Sequence, residues 1–270
     1  MSASPCSVLP RLIQAASDLV TIERKGPIMN YFIGTPVFAN TTYPDDSDTT
    51  SLAMVVLKDV TKAEKEDASR AILAHLNPDG LPYVSWLVYA RACLRFVVLL
   101  TIPKCWLDKE RPRVCHCICA NIFRFFYLNG LAGRLPGVYE YLCRLLRTGA
   151  FRFGTRYYTT PDWLFYYLSD VCSKCPLDSG LDELRQLLAW RVKERMGANT
   201  KDLLACVLRL LASQALHLDN PRDLQAVTDA QLADGGWPAV WVWQYGKEKV
   251  KLSSRGVVTA MAVRALENAS

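Results

Sequence analysis

Thr200-Lys201-Asp202-Leu203-Leu204-Ala205-Cys206-Val207-Leu208-Arg209-Leu210-Leu211-Ala212-Ser213-Gln214-Ala215-Leu216 is the clearest helix in the chain. Leu203, Leu204, Val207, Leu208, Leu211 and Ala215 recur at three- and four-residue spacing and make a wide apolar face. Outward from it the same rhythm repeats. Leu181–Arg195, with its Asp and Glu early, reads as the helix before it, and Pro221–Leu232 as the helix after it. Pro161 opens a helix packed by Trp163, Phe165, Tyr166 and Leu168. Arg113–Asn129, Val138–Leu146 and Ser253–Leu266 complete the C-terminal set. Towards the N-terminus, Lys65–Leu76 is a helix that stops at the turn Asn77-Pro78-Asp79-Gly80, and another begins near Asp48 or Thr49. Residues 1–25 read as a lead-in helix, and residues 26–270 as one domain. No alternating strand series is apparent, so the pattern predicts an all-α array of helical hairpins.

The totals agree with a packed globular chain. Its 270 residues are 51% hydrophobic and 10% aromatic, and 32 basic against 26 acidic side chains leave a net charge of +6. That balance suits an anionic ligand, an anionic surface or plain solubility. The basic residues are dispersed and no nucleic-acid-binding signature occurs, so no nucleic-acid partner is expected. Ten cysteines follow no secretory signal, which predicts reduced thiols in a cytoplasmic protein. Cys115-His116-Cys117-Ile118-Cys119 falls in a helical pattern that splits the thiols between faces, against a zinc site. The apolar stretch Leu81–Trp106 is interrupted by Arg91, Arg95 and Pro103 and is too short to span a bilayer. It leaves room for peripheral contact, for instance at the endoplasmic reticulum membrane.

Two motifs carry chemistry. Pro44-Asp45-Asp46-Ser47-Asp48-Thr49-Thr50 puts three carboxylates within four positions, just before a helix. Crowding raises the proton affinity of at least one carboxyl, while a helix N-terminus favours the charged form. The residues leave three readings open: a helix cap, an acid that protonates an alkene, or a magnesium site formed by Asp45, Asp46 and Asp48. Gln231-Leu232-Ala233-Asp234-Gly235-Gly236-Trp237 is a tight turn in which glycine permits the path and Trp237 covers a helix end.

Together these motifs resemble those of class II terpene cyclases, whose helices form α/α toroids. Gln231–Trp237 matches their QxxDGxW repeat, and Asp46-Ser47-Asp48-Thr49-Thr50 the DxDTT form of their acid motif. The likeness is to the cyclase domain of fungal haloacid-dehalogenase-like drimane-type sesquiterpene synthases. It runs from about Tyr31 to the C-terminus and includes Arg111-Pro112-Arg113, Gly154–Tyr158 and Tyr245-Gly246-Lys247. Residues 85–104 resemble an insertion beside the expected elements.

The resemblance implies a terpene cyclase acting on an isoprenoid diphosphate, farnesyl diphosphate by expectation. Asp48 stands at the general acid's position, Asp46 at that of the Asp that sets its state, and Thr49 where the fuller motif ends in Asp. It also implies magnesium on the diphosphate, no organic cofactor, and a separate phosphatase or tailoring enzyme downstream. For the diphosphate, Arg156 with Tyr157 and Tyr158 is the first candidate, because guanidinium binds phosphate bidentately; Lys247 and Arg255 follow. Trp241, Trp243 and Tyr245 are candidates for stabilising a carbocation on their ring faces. The rival readings are a magnesium-dependent synthase that ionises the diphosphate, and a noncatalytic helical scaffold.

Overall fold

A computed structural model describes residues 29, 46–83, 114–245 and 250–268. The expected lead-in helix and the residues 85–104 lie outside the described residues. The chain divides into two compact units, residues 1–114 and 115–270.

In the first unit, α1 (Ser47–Val56) starts at Asp46 and α2 (Lys62–Leu73) at Thr61. Thr61 and Glu64 cap α2 reciprocally, so it begins three residues earlier than its apolar pattern suggests. The turn after α2 is set by Asn77, whose Oδ1 accepts from the Asp79 and Leu81 amides at 2.9 and 2.8 Å. Gly80 holds its left-handed corner at φ 74°.

The second unit contains α3 (His116–Leu128), α4 (Pro136–Thr148), α5 (Trp163–Lys174), α6 (Asp182–Arg195), α7 (Leu203–Ala215), α8 (Pro221–Asp229) and α9 (Arg255–Glu267). Alternate helices form two layers. α3 packs on α5, α5 on α7 and α7 on α9; α4 packs on α3 and α6, α6 also on α5 and α7, and α8 on α7 and α9. Burial follows the layers: Leu203–Ser213 of α7 is buried on every side, whereas α6 buries only Leu184, Leu188, Arg191 and Val192. α3 and α5 run parallel and in step, because Arg124 pairs with Asp170 at 2.5 Å and Tyr127, further along α3, reaches Asp178 beyond the end of α5.

An ion-pair network centred on the fully buried Arg209, Asp162 and Asp223 binds the layers. Arg209 of α7 donates two hydrogen bonds to Asp223 of α8, at 2.6 and 2.9 Å, and approaches Asp162 at 3.4 Å. Asp162 also takes a two-pronged bond from Arg195 of α6, at 2.8 and 2.9 Å. Charges this deep are tolerable only when paired on all sides.

One element departs from the all-helical reading. β1 (Val240–Tyr245) and β2 (Val250–Ser254) form an antiparallel hairpin with a bulge between Trp241 and Trp243. The alternation Trp241-Val242-Trp243, with Val242 fully buried, is a strand signal that the surrounding helical rhythm masks. The Trp-Gly turn behaves as read. Gln231 Nε2 donates to the Gly235 carbonyl at 2.9 Å, and Trp237 Nε1 to the Val227 carbonyl at the end of α8 at 2.7 Å.

Candidate functional site

The acidic motif is the start of α1. Asp46 is its N-cap, in extended backbone, with Oδ1 accepting the Thr49 N–H at 2.7 Å. The Thr49 hydroxyl donates to the other carboxylate oxygen at 2.8 Å. Thr50 fixes the same corner from behind. Its hydroxyl donates to the Asp46 carbonyl at 2.7 Å and accepts the Met29 N–H at 2.8 Å, while the Asp46 N–H donates to the Met29 carbonyl at 3.1 Å. Met29 and Thr50 are buried, so Asp46 has little freedom to move.

Asp46 keeps some residue surface, yet its carboxyl is enclosed. That enclosure, and next the charge of Asp48, push its pKa up to about 7, against the two Thr49 donors that pull it down. Asp48 lies half-buried in the first turn, where the helix N-terminus favours a negative charge. The crowding expected from the sequence is therefore present, with the raised affinity on Asp46, the capped member of the pair. Asp45 lies outside the described residues.

The aromatic candidates meet in the second unit. Residues 155–159 run beside the hairpin: Tyr158 bridges Trp243, the Gln244 N–H donates to the Tyr157 carbonyl at 2.7 Å, and the Thr159 hydroxyl to the Trp241 carbonyl at 2.8 Å. Tyr158 and Trp243, far apart in sequence, both reach Trp163 at the start of α5. Its ring centroid is 5.7 Å from Tyr158, edge-on, and 6.2 Å from Trp243, nearly parallel at 17°. Tyr167, one turn along α5, stacks on Trp163 at 5.6 Å and shares a 3.3 Å hydroxyl contact with Tyr158. The sequence reading treated Trp163 as packing and did not single out Tyr167. The only available signal was their four-residue spacing, which core aromatics share.

The other candidates are distributed differently. Trp241 turns outward and is 53% exposed. Arg156 and Tyr157 are half-buried on the strand-like segment, and both are engaged in further interactions. Arg255 has other work: it grips Asp234 at 2.5 Å and the Trp237 carbonyl at 3.0 Å, and so locks the Trp-Gly turn. A Cβ on Gly236 would stand 2.7 Å from that guanidinium, so a side chain here would press on the arm that locks the turn. Tyr245 is placed by its backbone, opposite Val250, and Lys247 lies outside the described residues.

Comparison with known proteins gives one direction. Residues 12–129 match the model of the sesquiterpene cyclase astC-like C-terminal domain. The drimenol cyclase drtB of Aspergillus calidoustus is 30% identical over 260 residues, which cover 94% of this chain and 44% of that protein. The chain thus spans less than half the length of this relative. Among solved structures, the type II terpene cyclase MstE from Scytonema in complex with merosterolic acid A, its product, superposes with a TM-score of 0.64 at 15% identity, over 99% of this chain and 83% of that one. A second MstE structure, with the substrate geranylgeranyl dihydroxybenzoate, gives 0.59 at 13% identity, over 96% and 81%. The fold is the helix-rich one of the type II terpene cyclase α/α toroid.

These findings overturn the magnesium expectation. The solved neighbours are type II cyclases, the acid-initiated class. Among the described residues no group of three or more His, Cys, Asp or Glu is arranged to hold a metal ion. Of the carboxylates that suggested one, Asp46 accepts from Thr49 through both oxygens. As for a membrane, no helix among the described residues is long and apolar enough to cross one.

Proposed function

We propose that this terpene-cyclase-like chain cyclises an isoprenoid by protonating it, with Asp48 delivering the proton. The observation that carries the reading is the Asp46–Thr49 cap, which holds an enclosed carboxyl of raised proton affinity two residues from a second carboxyl. Enclosure and the neighbouring Asp48 charge raise the Asp46 pKa to about 7, so a proton is held at this corner near neutral pH. Asp48 transfers that proton to the terminal carbon–carbon double bond of the substrate. The π electrons form the new C–H bond and leave a tertiary cation, and internal double bonds attack in turn. Loss of a proton from carbon, or capture by water, ends the sequence. Asp46 sets the state of the pair, and the Thr49 hydroxyl steadies its charge once the proton has left.

The substrate in this reading is an isoprenoid diphosphate, farnesyl diphosphate first, with Arg156 as the cation for its head. Tyr158 and Trp243 present ring faces to the passing cation. The narrower likeness, to the cyclase domain of fungal haloacid-dehalogenase-like synthases, rests on the DxDTT motif. On it the product leaves the cyclisation with its diphosphate still attached. The test is incubation with farnesyl diphosphate, geranylgeranyl diphosphate and a geranylgeranylated phenol, comparing the unaltered protein with Asp48→Asn. A cyclic product that the variant fails to make supports the reading. Substrates left untouched by both proteins, or an undiminished rate in the variant, refute it.

A further inference from the structure

Trp163 is the hub of the aromatic cluster and carries something the cluster does not use. Its side chain is 4% exposed, and its indole Nε1–H is buried without a hydrogen-bond partner. A buried donor left unpaired is costly, and native proteins retain few of them. The other buried tryptophan among the described residues behaves normally, since the Trp237 indole donates to a carbonyl at 2.7 Å. The orphan is not the result of a loose site. Tyr158, Tyr166, Tyr167 and Trp243 surround the ring with centroids 5.6 to 6.2 Å away. The preceding residue, Asp162, is fixed by Arg195, Arg209 and the Thr160 hydroxyl. A donor held this firmly, beside the aromatic residues assigned to the substrate, is arranged to meet an acceptor that arrives with the ligand.

From this we infer that Trp163 is a substrate-contacting residue whose indole N–H binds an oxygen of the isoprenoid's polar head. The inference rests on the cyclase reading and adds to it a specificity-determining contact. An acceptor bound through one N–H is held alike before and during the reaction, so its loss appears in KM and not in kcat.

The experiment compares the unaltered protein with Trp163→Phe, which keeps an aromatic ring and removes the N–H. With farnesyl diphosphate the expected result is a KM raised about tenfold, the effect of one hydrogen bond to a charged oxygen, with kcat nearly unchanged. Calorimetry in an Asp48→Asn background, where no turnover interferes, should show Kd weakened by the same factor. Farnesol provides a second arm: equal weakening for both ligands identifies the head oxygen as the one they share, and weakening for the diphosphate alone assigns a phosphate oxygen. If Trp163→Phe does not fold, benzothienylalanine at this position, with sulfur in place of N–H, makes the same comparison. Unchanged KM and Kd overturn the inference and leave the cyclase reading intact; the N–H is then satisfied by a neighbouring ring. A weakened Kd alongside full activity of Asp48→Asn sinks the acid role and keeps the contact. An unaltered protein that binds neither ligand refutes both.

Discussion

Thr49 gives Asp46 two hydrogen bonds, from its backbone N–H at 2.7 Å and from its hydroxyl at 2.8 Å, one to each carboxylate oxygen. The first is ordinary helix capping. The second is an addition that needs a side-chain donor at this position, here the threonine hydroxyl. A third aspartate here would add another negative charge to the pair, whereas threonine supplies a donor that stabilises the ionised form.

Thr49→Val therefore separates the two contacts, because valine keeps the backbone N–H. The loss of the hydroxyl removes one of the forces that lower the proton affinity of Asp46, so its pKa should rise above about 7. The fold should weaken by about 1 kcal/mol. A pH–rate profile whose alkaline limb moves to higher pH, together with a urea midpoint only slightly reduced, is the expected outcome.

Asp46 also predicts how stability depends on pH. Its folded-state pKa, about 7, stands above the ordinary 3.8. Between those values the folded chain binds more protons than the unfolded one, so this group's contribution is complete at low pH and is lost as pH rises through 7. With allowance for residual solvent contact, the loss is on the order of 2 kcal/mol. Urea midpoints for the unaltered protein should fall between pH 5 and pH 8 more than those of Asp46→Asn. Parallel curves for the two would show that Asp46 titrates normally.

Arg209 is the test of the buried network. Arg209→Met removes the charge that Asp223 receives at two points and Asp162 at one, and leaves both carboxylates short of a partner. Breaking a buried pair from one side costs about 3–5 kcal/mol. Chemical denaturation of the variant should show a loss of that size. A loss below about 1 kcal/mol would mean that water or Arg195 compensates.

How much of this was legible in the sequence depends on the range of each interaction. α7 was legible because its apolar spacing is local, and so was the cap at Asp46, which needs only a side chain and the amide three residues on. The Gln231–Trp237 turn was legible for the same reason. Long-range choices were not. Arg209 in an apolar helix gives no hint that it faces Asp162 and Asp223. The residues 155–159 carry no mark of pairing with β1, because strand pairing is decided by what lies opposite. That pairing is what brings Tyr158 and Trp243 to Trp163. The magnesium expectation failed because closely spaced carboxylates look alike in sequence whether they cap a helix, supply a proton or hold a metal, and only the folded chain shows that Asp46 caps a helix and accepts from Thr49.

Isotope transfer from solvent tests the protonation step most directly. Run in D2O with farnesyl diphosphate, a reaction begun by a carboxylic acid in exchange with water must leave one non-exchangeable deuterium in the cyclic product, seen as a one-unit mass increase. A cyclic product of unchanged mass would contradict the account, because cyclisation would then have begun by loss of the diphosphate.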